Sequence, residues 1–367
     1  MDVSLCAPGQ AGRRRFGSSQ DGHRTKPAGR RHGLLELGIV LDGVHASGLP
    51  DFPIAQDALI DWLRARFGVS DVRLDRVSLL PGGAIQNNWR LDLRIDDQTV
   101  LLVLRSGPEL PLPESRPKAE EFDNLQRAWR AGVPVPQPLW LSDGDLRPAF
   151  IVSEFCRGDS ARNRLIAGGD NGALLTDLAS ALARIHTVGA TPETAPASPL
   201  RRVETLDEWA CVLARVPDGI AAGLDWLRAN FPSRGAVTLV HRDFRTGNFL
   251  VEDGRLVAVL DWEFANWGDP AEDIGWFCAA CWRGDAQDRE AGGLGARGDF
   301  YRAYQDAGGR LPGPEHIRFW EVFAHVRWAL IAMQQGERGR AGAYPARELE
   351  EAEARVPALA RTVAGMI

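Results

Sequence analysis

His241, Arg242, Asp243 and Asn248 stand close together in LVHRDFRTGNFLVEDGRLVAVLDWE, Leu239 to Glu263, and Asp261 closes the strand-like run that follows. Phosphoryl transfer needs a carboxylate to take the proton of the attacking hydroxyl, and oxygen ligands to hold a divalent ion among the phosphates. This order supplies both. Asp243 is placed to accept the proton, Asn248 to turn its amide oxygen back onto a metal, and Asp261 to act as the charged second ligand. Two hard oxygen donors suit Mg²⁺, which keeps several waters and binds largely through the nucleotide. Gly247 and short polar residues let the loop turn. Taken singly, each of these residues caps a turn or ends a strand; jointly, their order, spacing and flanking apolar runs point to chemistry.

Such side chains converge only if folded elements hold them. Upstream, PGGAIQNNWRLDLRIDDQTVLLV, Pro81 to Val103, reads as a Gly-containing turn between strand-like runs. RPKAEEFDNLQRAWRAGVPVP reads as a helix with Phe122, Leu125, Ala128 and Trp129 at helical spacing, stopped by Gly132 and Pro134. PAFIVSEF, Pro148 to Phe155, is a further strand, and from LLTDLASALARIH onward the patterns are mostly helical. The expected fold class is α+β, with two unequal lobes joined near Glu154 to Gly158. Residues 51–156 form the small β-rich lobe and 157–367 the larger, mainly helical one.

At 367 residues, 44% hydrophobic and 25% charged, the chain is long enough for two packed lobes. No apolar run approaches the roughly 20 residues needed to cross a bilayer, and the start lacks the apolar core of a secretory signal, so a cytoplasmic location and no membrane partner are expected. Five scattered cysteines argue against a disulfide framework. Residues 1–50 begin with a segment rich in Arg, Gly, Ser and Pro, a composition that buries little apolar surface and reads as a disordered basic tail and linker. Apart from Phe16 the basic residues lack interleaved aromatics, so no nucleic-acid partner is expected. Oligomeric state is not legible.

HRDFRTGNFL together with VLDWEFANWGDPAEDIGWF resembles the aminoglycoside phosphotransferase and choline kinase-like family, small-molecule kinases with a protein-kinase-like fold. The wording of the first motif is most similar to the branch related to kinase-like domains fused to acyl-CoA dehydrogenases. The likeness runs from about Leu79 to about Met333 and is more specific for fold than for substrate.

That resemblance implies ATP and Mg²⁺ as cofactors, Asp243 as catalytic carboxylate, and Asn248 and Asp261 as metal ligands. Arg245 would neutralise charge on the transferred group, or else form a salt bridge within its loop. LLPGGAIQNNWRL is similar to the family's phosphate-covering turn, with Gly82 and Gly83 approaching the phosphates and Asn87 and Asn88 capping the turn. On the third strand, where a lysine is usual, VLLVLRSG offers Arg105, a forked donor suited to phosphate. Lys118 falls in what reads as a Pro-rich loop and is not assigned the role. Glu121 is the expected helix partner of Arg105, with Glu120 as the alternative. The backbone around Glu154 to Cys156 is the expected adenine hinge, and Asp273 is expected to anchor the catalytic loop without touching ATP.

Two motifs are set aside. Cys278 and Cys281 have the spacing of a metal or redox pair, but nothing completes a zinc site. Trp320, Phe323 and Trp328 recur at helical spacing and read as core, although the family builds its acceptor pocket in this region. The function expected is an ATP- and Mg-dependent phosphotransferase acting on a small-molecule hydroxyl, with a nucleotide-binding pseudokinase as the alternative. A protein kinase is disfavoured by Asp-Trp-Glu where Asp-Phe-Gly belongs and by the lack of an Ala-Pro-Glu element. The acceptor is not identified by the sequence.

Overall fold

Alternation of apolar and polar residues builds a five-stranded antiparallel sheet from β1 (Val72–Leu79), β2 (Asn87–Ile95), β3 (Gln98–Ser106), β4 (Pro138–Ser142) and β5 (Phe150–Glu154), in the order β1-β2-β3-β5-β4. The structure, a computed structural model, describes residues 52–80, 86–107, 114–142, 144–190, 199–232, 235–340 and 352–367. All of these fall in one unit, residues 37–367. The basic tail expected over residues 1–50 lies outside the described residues, as do Gly82 and Gly83 in the connection from β1 to β2.

Trp89, Leu91 and Leu93 alternate along β2 and share one buried face with Leu102 and Leu104 of β3 and Phe150 and Val152 of β5. Leu59, Trp62 and Leu63 of α1 (Gln56–Phe67) cover that face. Full burial of each such side chain contributes about 1.5–3 kcal/mol, so Leu91→Ala alone removes a large part of what joins sheet to helix. The sequence pattern assigned this lobe a single helix; the structure adds α1, whose apolar positions are interrupted by charges. The β2–β3 connection has Asp96 and Asp97 at φ 46° and 64°, the left-handed pair that a two-residue hairpin needs.

On the other side of the sheet, α2 (Lys118–Arg130) packs against β4 and β5. Its buried positions are Glu121, Asn124, Leu125 and Ala128, whereas Trp129, expected on the apolar face, is 44% exposed. The helix is rotated because two polar side chains look inward: Asn124 donates to the Ala265 carbonyl, and Glu121 faces β3.

Beyond β5 the chain enters the helical lobe. Gly158 sits at φ 139°, and a Cβ there would lie 2.9 Å from the Val251 carbonyl oxygen, so only glycine lets the linker lie against the next hairpin. Asp159 and Val251 then exchange backbone hydrogen bonds of 2.8 and 3.0 Å. Leu174, Leu178, Leu182 and Ile185 of α4 (Gly172–Ile185) form one core with Phe244, Phe249 and Phe277. A second core joins α5 (Pro199–Cys211), α6 (Asp218–Ala229), the long α9 (Pro314–Arg340) and α10 (Val356–Met366). Between them run α3 (Arg162–Ala167), β6 (Thr238–Val240), β7 (Phe249–Glu252), β8 (Arg255–Val259), β9 (Asn266–Gly268), α7 (Pro270–Cys278) and α8 (Arg297–Asp306). Among the described residues no helix is long and apolar enough to cross a membrane.

Candidate active site

The hairpin β7–β8 brings the chemistry together. Phe249 pairs with Val259, and one step further the Leu260 N–H donates to the Asn248 carbonyl at 2.8 Å, so Asn248 and Asp261 leave the same end of the hairpin. Asp261 adopts φ 69° and Arg242 φ 65°, left-handed values that non-glycine residues hold only when surroundings enforce them. The enforcing contacts are visible. Asp273 on α7, fully buried, accepts the backbone N–H of His241 at Oδ2 and of Arg242 at Oδ1, each at 2.7 Å, and His186 Nε2 lies 3.2 Å from the same Oδ2. The expected anchoring role of Asp273 is what the geometry shows.

Held this way, Asp243 is 6% exposed and its carboxylate takes three donors. Asn248 Nδ2 donates to Oδ2 at 2.7 Å, while Arg245 Nε and the Trp276 indole N–H donate to Oδ1, each at 3.0 Å. With its amide nitrogen spent on Asp243, Asn248 has its oxygen left for a cation. Arg245 therefore does form the salt bridge within its loop, and its guanidinium also lies over the Trp282 ring at 4.9 Å. Gly247 makes the turn at φ 113°, where a Cβ would meet the Arg245 guanidinium at 2.9 Å.

From the sheet side, Arg105 on β3 reaches the same place. Its Nε donates to Glu121 at 2.7 Å and its second arm pairs with Asp261. Burial opposes charge on Glu121 and Asp261, but Arg105, joined by Lys118 at Glu121 and by Arg245 at Asp261, outweighs it and both carboxyls fall below their ordinary range. Glu120 instead pairs with Arg116 at the surface, so Glu121 is the partner. The assignment of Lys118 to a Pro-rich loop is corrected: it opens α2, is nearly buried, and donates to Glu121 at 2.7 Å and to Gln86 at 2.6 Å. Proline just before a first helical turn costs no hydrogen bond, so the Pro-rich wording hid a helix start.

Glu263, two residues past Asp261, extends this network unseen by the motif reading. Its Oε2 accepts from Gln86 at 2.8 Å and from Ser115 at 2.9 Å, and burial followed by the Asp261 charge pushes its carboxyl up to about 7. Glu114, equally unforeseen, sits between Arg202 and Arg327, 2.7 Å from each; burial works against its charge, but the two arginines hold it down at about 2. Trp276 was legible in part, since it follows Asp273 by nearly one helical turn and must face the same loop.

The remaining expected positions lie at the lobe junction. Glu154 ends β5, is exposed, and gives its N–H to the Gln137 carbonyl at 3.0 Å; Cys156 follows, half-buried, its thiol raised first by burial. Cys278 is buried and Cys281 half-buried, both thiols are pushed up to about 12 by burial, and neither joins a metal-binding group among the described residues.

A family model of phosphotransferase enzymes, APH, matches residues 76–320. The chain belongs to this phosphotransferase family. Mouse acyl-CoA dehydrogenase family member 10 is 27% identical over 79% of the chain, and the chain spans 29% of that longer protein. Among solved structures, a candidate aminoglycoside phosphotransferase of Ralstonia eutropha superposes with TM-score 0.67 at 21% identity, covering 85% of this chain and 98% of that one. A thermostable mutant of another aminoglycoside phosphotransferase, solved with AMP-PNP and hygromycin B, gives TM-score 0.54 at 19% identity over 85% of this chain and all of its own. The fold of the chain is protein-kinase-like, an antiparallel sheet lobe and a helical lobe.

Proposed function

We propose that this phosphotransferase moves the γ-phosphoryl group of ATP, with Mg²⁺, to a hydroxyl of a small metabolite. The observation that carries this is the convergence of Asp243, Asn248 and Asp261 at one hairpin end, faced by Arg105 on its Glu121 support. A solved aminoglycoside phosphotransferase of similar fold forms a ternary complex with AMP-PNP and hygromycin B, which supports this reading. The donor set fits a hard divalent ion: an amide oxygen and a carboxylate, no sulfur. Mg²⁺, when bound, supplies charge neutralisation across the phosphates.

In this reading Asp243 takes the proton of the attacking hydroxyl, with Arg245, Trp276 and Asn248 fixing its direction. Arg105 and the turn holding Gly82 and Gly83 grip the phosphates, and the Glu154–Cys156 backbone receives the adenine. Residues 51–156 serve as nucleotide lobe and 157–367 as catalytic and acceptor lobe. Catalysis is then mainly positioning and charge stabilisation.

Asp243→Asn tests it. Binding of MgATP should persist while ATP consumption in a panel of small alcohols falls by about 10²–10⁴-fold. Asp261→Ala should instead abolish the magnesium dependence of ATP binding. Full turnover in Asp243→Asn would remove Asp243 from the proton-transfer role. Binding without turnover in the unaltered chain would make it a regulatory nucleotide-binding module.

A further inference from the structure

Beside the catalytic loop the helical lobe opens a cleft of about 930 Å³, lined by Arg162, Arg289, Arg355, Trp328, Ile166 and Leu359 among others. It adjoins the site through packed side chains. Arg162 Cβ lies 3.8 Å from where a Cβ on Gly247 would stand, and Trp282 packs between the Arg245 guanidinium and Trp328, 4.9 Å from each. The wall made by Ile166, Leu359 and Trp328 is apolar; the charge comes from the arginines.

Those arginines differ from the others around the site. Arg105, Arg202, Arg245 and Arg327 each pair with a carboxylate. Arg162, Arg289 and Arg355 have none among the described residues. Arg162 is half-buried, and among the described residues its Nε is shut off from water without a hydrogen-bond partner while its terminal nitrogen makes one long bond of 3.4 Å to the Cys281 carbonyl. A desolvated guanidinium left unpaired is costly to keep. Burial and then the charges of Arg355 and Arg245 press against its proton, only partly offset by Asp285, so positive charge predominates at the inner end of the cleft. Asp285 and Asp288 stand at the rim, exposed, and form no ion pair with these arginines. His325, also on the wall, is neutral, its imidazole driven down to about 4 by burial.

We infer that the phosphoryl acceptor is an anionic alcohol with an apolar body, its carboxylate or phosphate gripped by Arg162 while its hydroxyl faces Asp243. This rests on the kinase reading above. The transfer balances simply: the acceptor oxygen forms a bond to the γ-phosphorus, its proton passes to the Asp243 carboxylate, and the bond from γ-phosphorus to the bridging oxygen breaks as ADP leaves with the electron pair. A polycationic aminoglycoside is repelled by the same field.

Anion binding and turnover are measured separately. Glycolate and inorganic phosphate are titrated calorimetrically into the chain saturated with Mg²⁺ and AMP-PNP, so that the nucleotide's own phosphate site is filled. Glycolate, 3-hydroxybutyrate and glycerol 3-phosphate are compared as acceptors with 1,3-butanediol, choline and kanamycin. Saturable anion binding that weakens about 10- to 100-fold in Arg162→Gln, with partial recovery in Arg162→Lys, supports the inference, the range being that of a lost charged hydrogen bond. Preference for the hydroxy acids or for glycerol 3-phosphate then identifies which anion is read, and KM rises in Arg162→Gln more than kcat falls. Equal anion affinity in both proteins, or turnover confined to neutral and cationic alcohols, overturns it. Arg162-dependent anion binding with no ATP consumed by any acceptor leaves the anion site standing and removes the kinase reading. Should Arg162→Gln fail to fold by circular dichroism, Arg355→Gln is judged by the same outcomes.

Discussion

Arg105 Nε donates to Glu121 at 2.7 Å across the space between β3 and α2, and Glu121 also receives Lys118 at 2.7 Å. Glu121 is 2% exposed, so one buried carboxylate balances two cations. Removing it leaves Lys118 without a carboxylate and Arg105 with Asp261 alone, a loss of about 3–5 kcal/mol for breaking a buried pair. Glu121→Ala should therefore lower the thermal midpoint by roughly 5–15 °C and weaken ATP binding, both followed by thermal shift with and without MgATP. Arg105→Lys keeps the charge but loses the fork that reaches Glu121 and Asp261 together. It should bind ATP about tenfold more weakly, like the loss of a single charge-assisted bond, with little change in midpoint.

Asp273 makes a second prediction. Its carboxylate holds the two amides that keep Arg242 left-handed just before Asp243. Asp273→Asn retains one acceptor and offers a donor where an amide N–H already points, so one backbone donor is left buried without a partner, a cost of about 1–3 kcal/mol. Asp243, the proposed proton acceptor, then loses its fixed direction. Turnover should fall at least tenfold while KM for ATP, set largely by the other lobe, changes little. Equal losses in kcat and in ATP affinity would mean that Asp273 serves only overall stability.

How much of this was legible in the sequence follows from separation along the chain. Asp243, Asn248 and Asp261 are carried by one loop and one hairpin, so their order alone implied their meeting. Arg105 and Glu121 were reachable through the family resemblance, which places a cation on the third strand opposite a glutamate of the next helix. Lys118 was misassigned although it stands one helical turn before Glu121, because the prolines around it mask the helix start. Trp129 was misassigned because apolar spacing cannot reveal that Glu121 and Asn124 claim the inner face. Glu114 and Arg327 lie 213 residues apart, and no local pattern links them.

The Glu263 carboxyl predicts a pH dependence. Burial first, then the neighbouring Asp261, push it up to about 7 from an ordinary 4.5. Between those values the folded protein holds a proton that the unfolded chain has released, so this group's contribution to stability is complete below pH 4.5 and is lost as pH rises through about 7. Its size is on the order of 3 kcal/mol. His325, driven down to about 4, acts in the opposite direction over part of the same range, its contribution being present at higher pH and lost as pH falls. Comparing Glu263→Gln with the unaltered chain cancels that histidine. Urea unfolding of the pair should show the variant gaining relative stability between pH 4.5 and 7.5, and a constant difference would rule the assignment out.

Glu114 links the segment entering α2 to the helical lobe and, through it, to the catalytic loop. It meets Arg202 on α5 and Arg327 on α9, and Arg327 in turn donates to the Arg242 carbonyl at 2.8 Å, one residue from Asp243. Arg202 also pairs with Glu272 of α7, so removing Glu114 leaves Arg327 the more exposed loser. Its carboxyl sits at about 2, below the ordinary 4.5, so the stability it contributes is present above pH 4.5 and lost as pH falls through about 2. Glu114→Gln keeps the shape and removes the charge. At pH 7 it should cost about 3 kcal/mol or more, the penalty for stranding a buried cation, and should reduce turnover through the Arg327–Arg242 contact. At pH 3 part of that stability gap should have closed, because the unfolded chain has by then taken up a proton at this position that the folded chain, its carboxyl at about 2, still excludes. Urea midpoints at the two pH values provide the check, and an equal gap at both would show that the arginines do not depend on this charge.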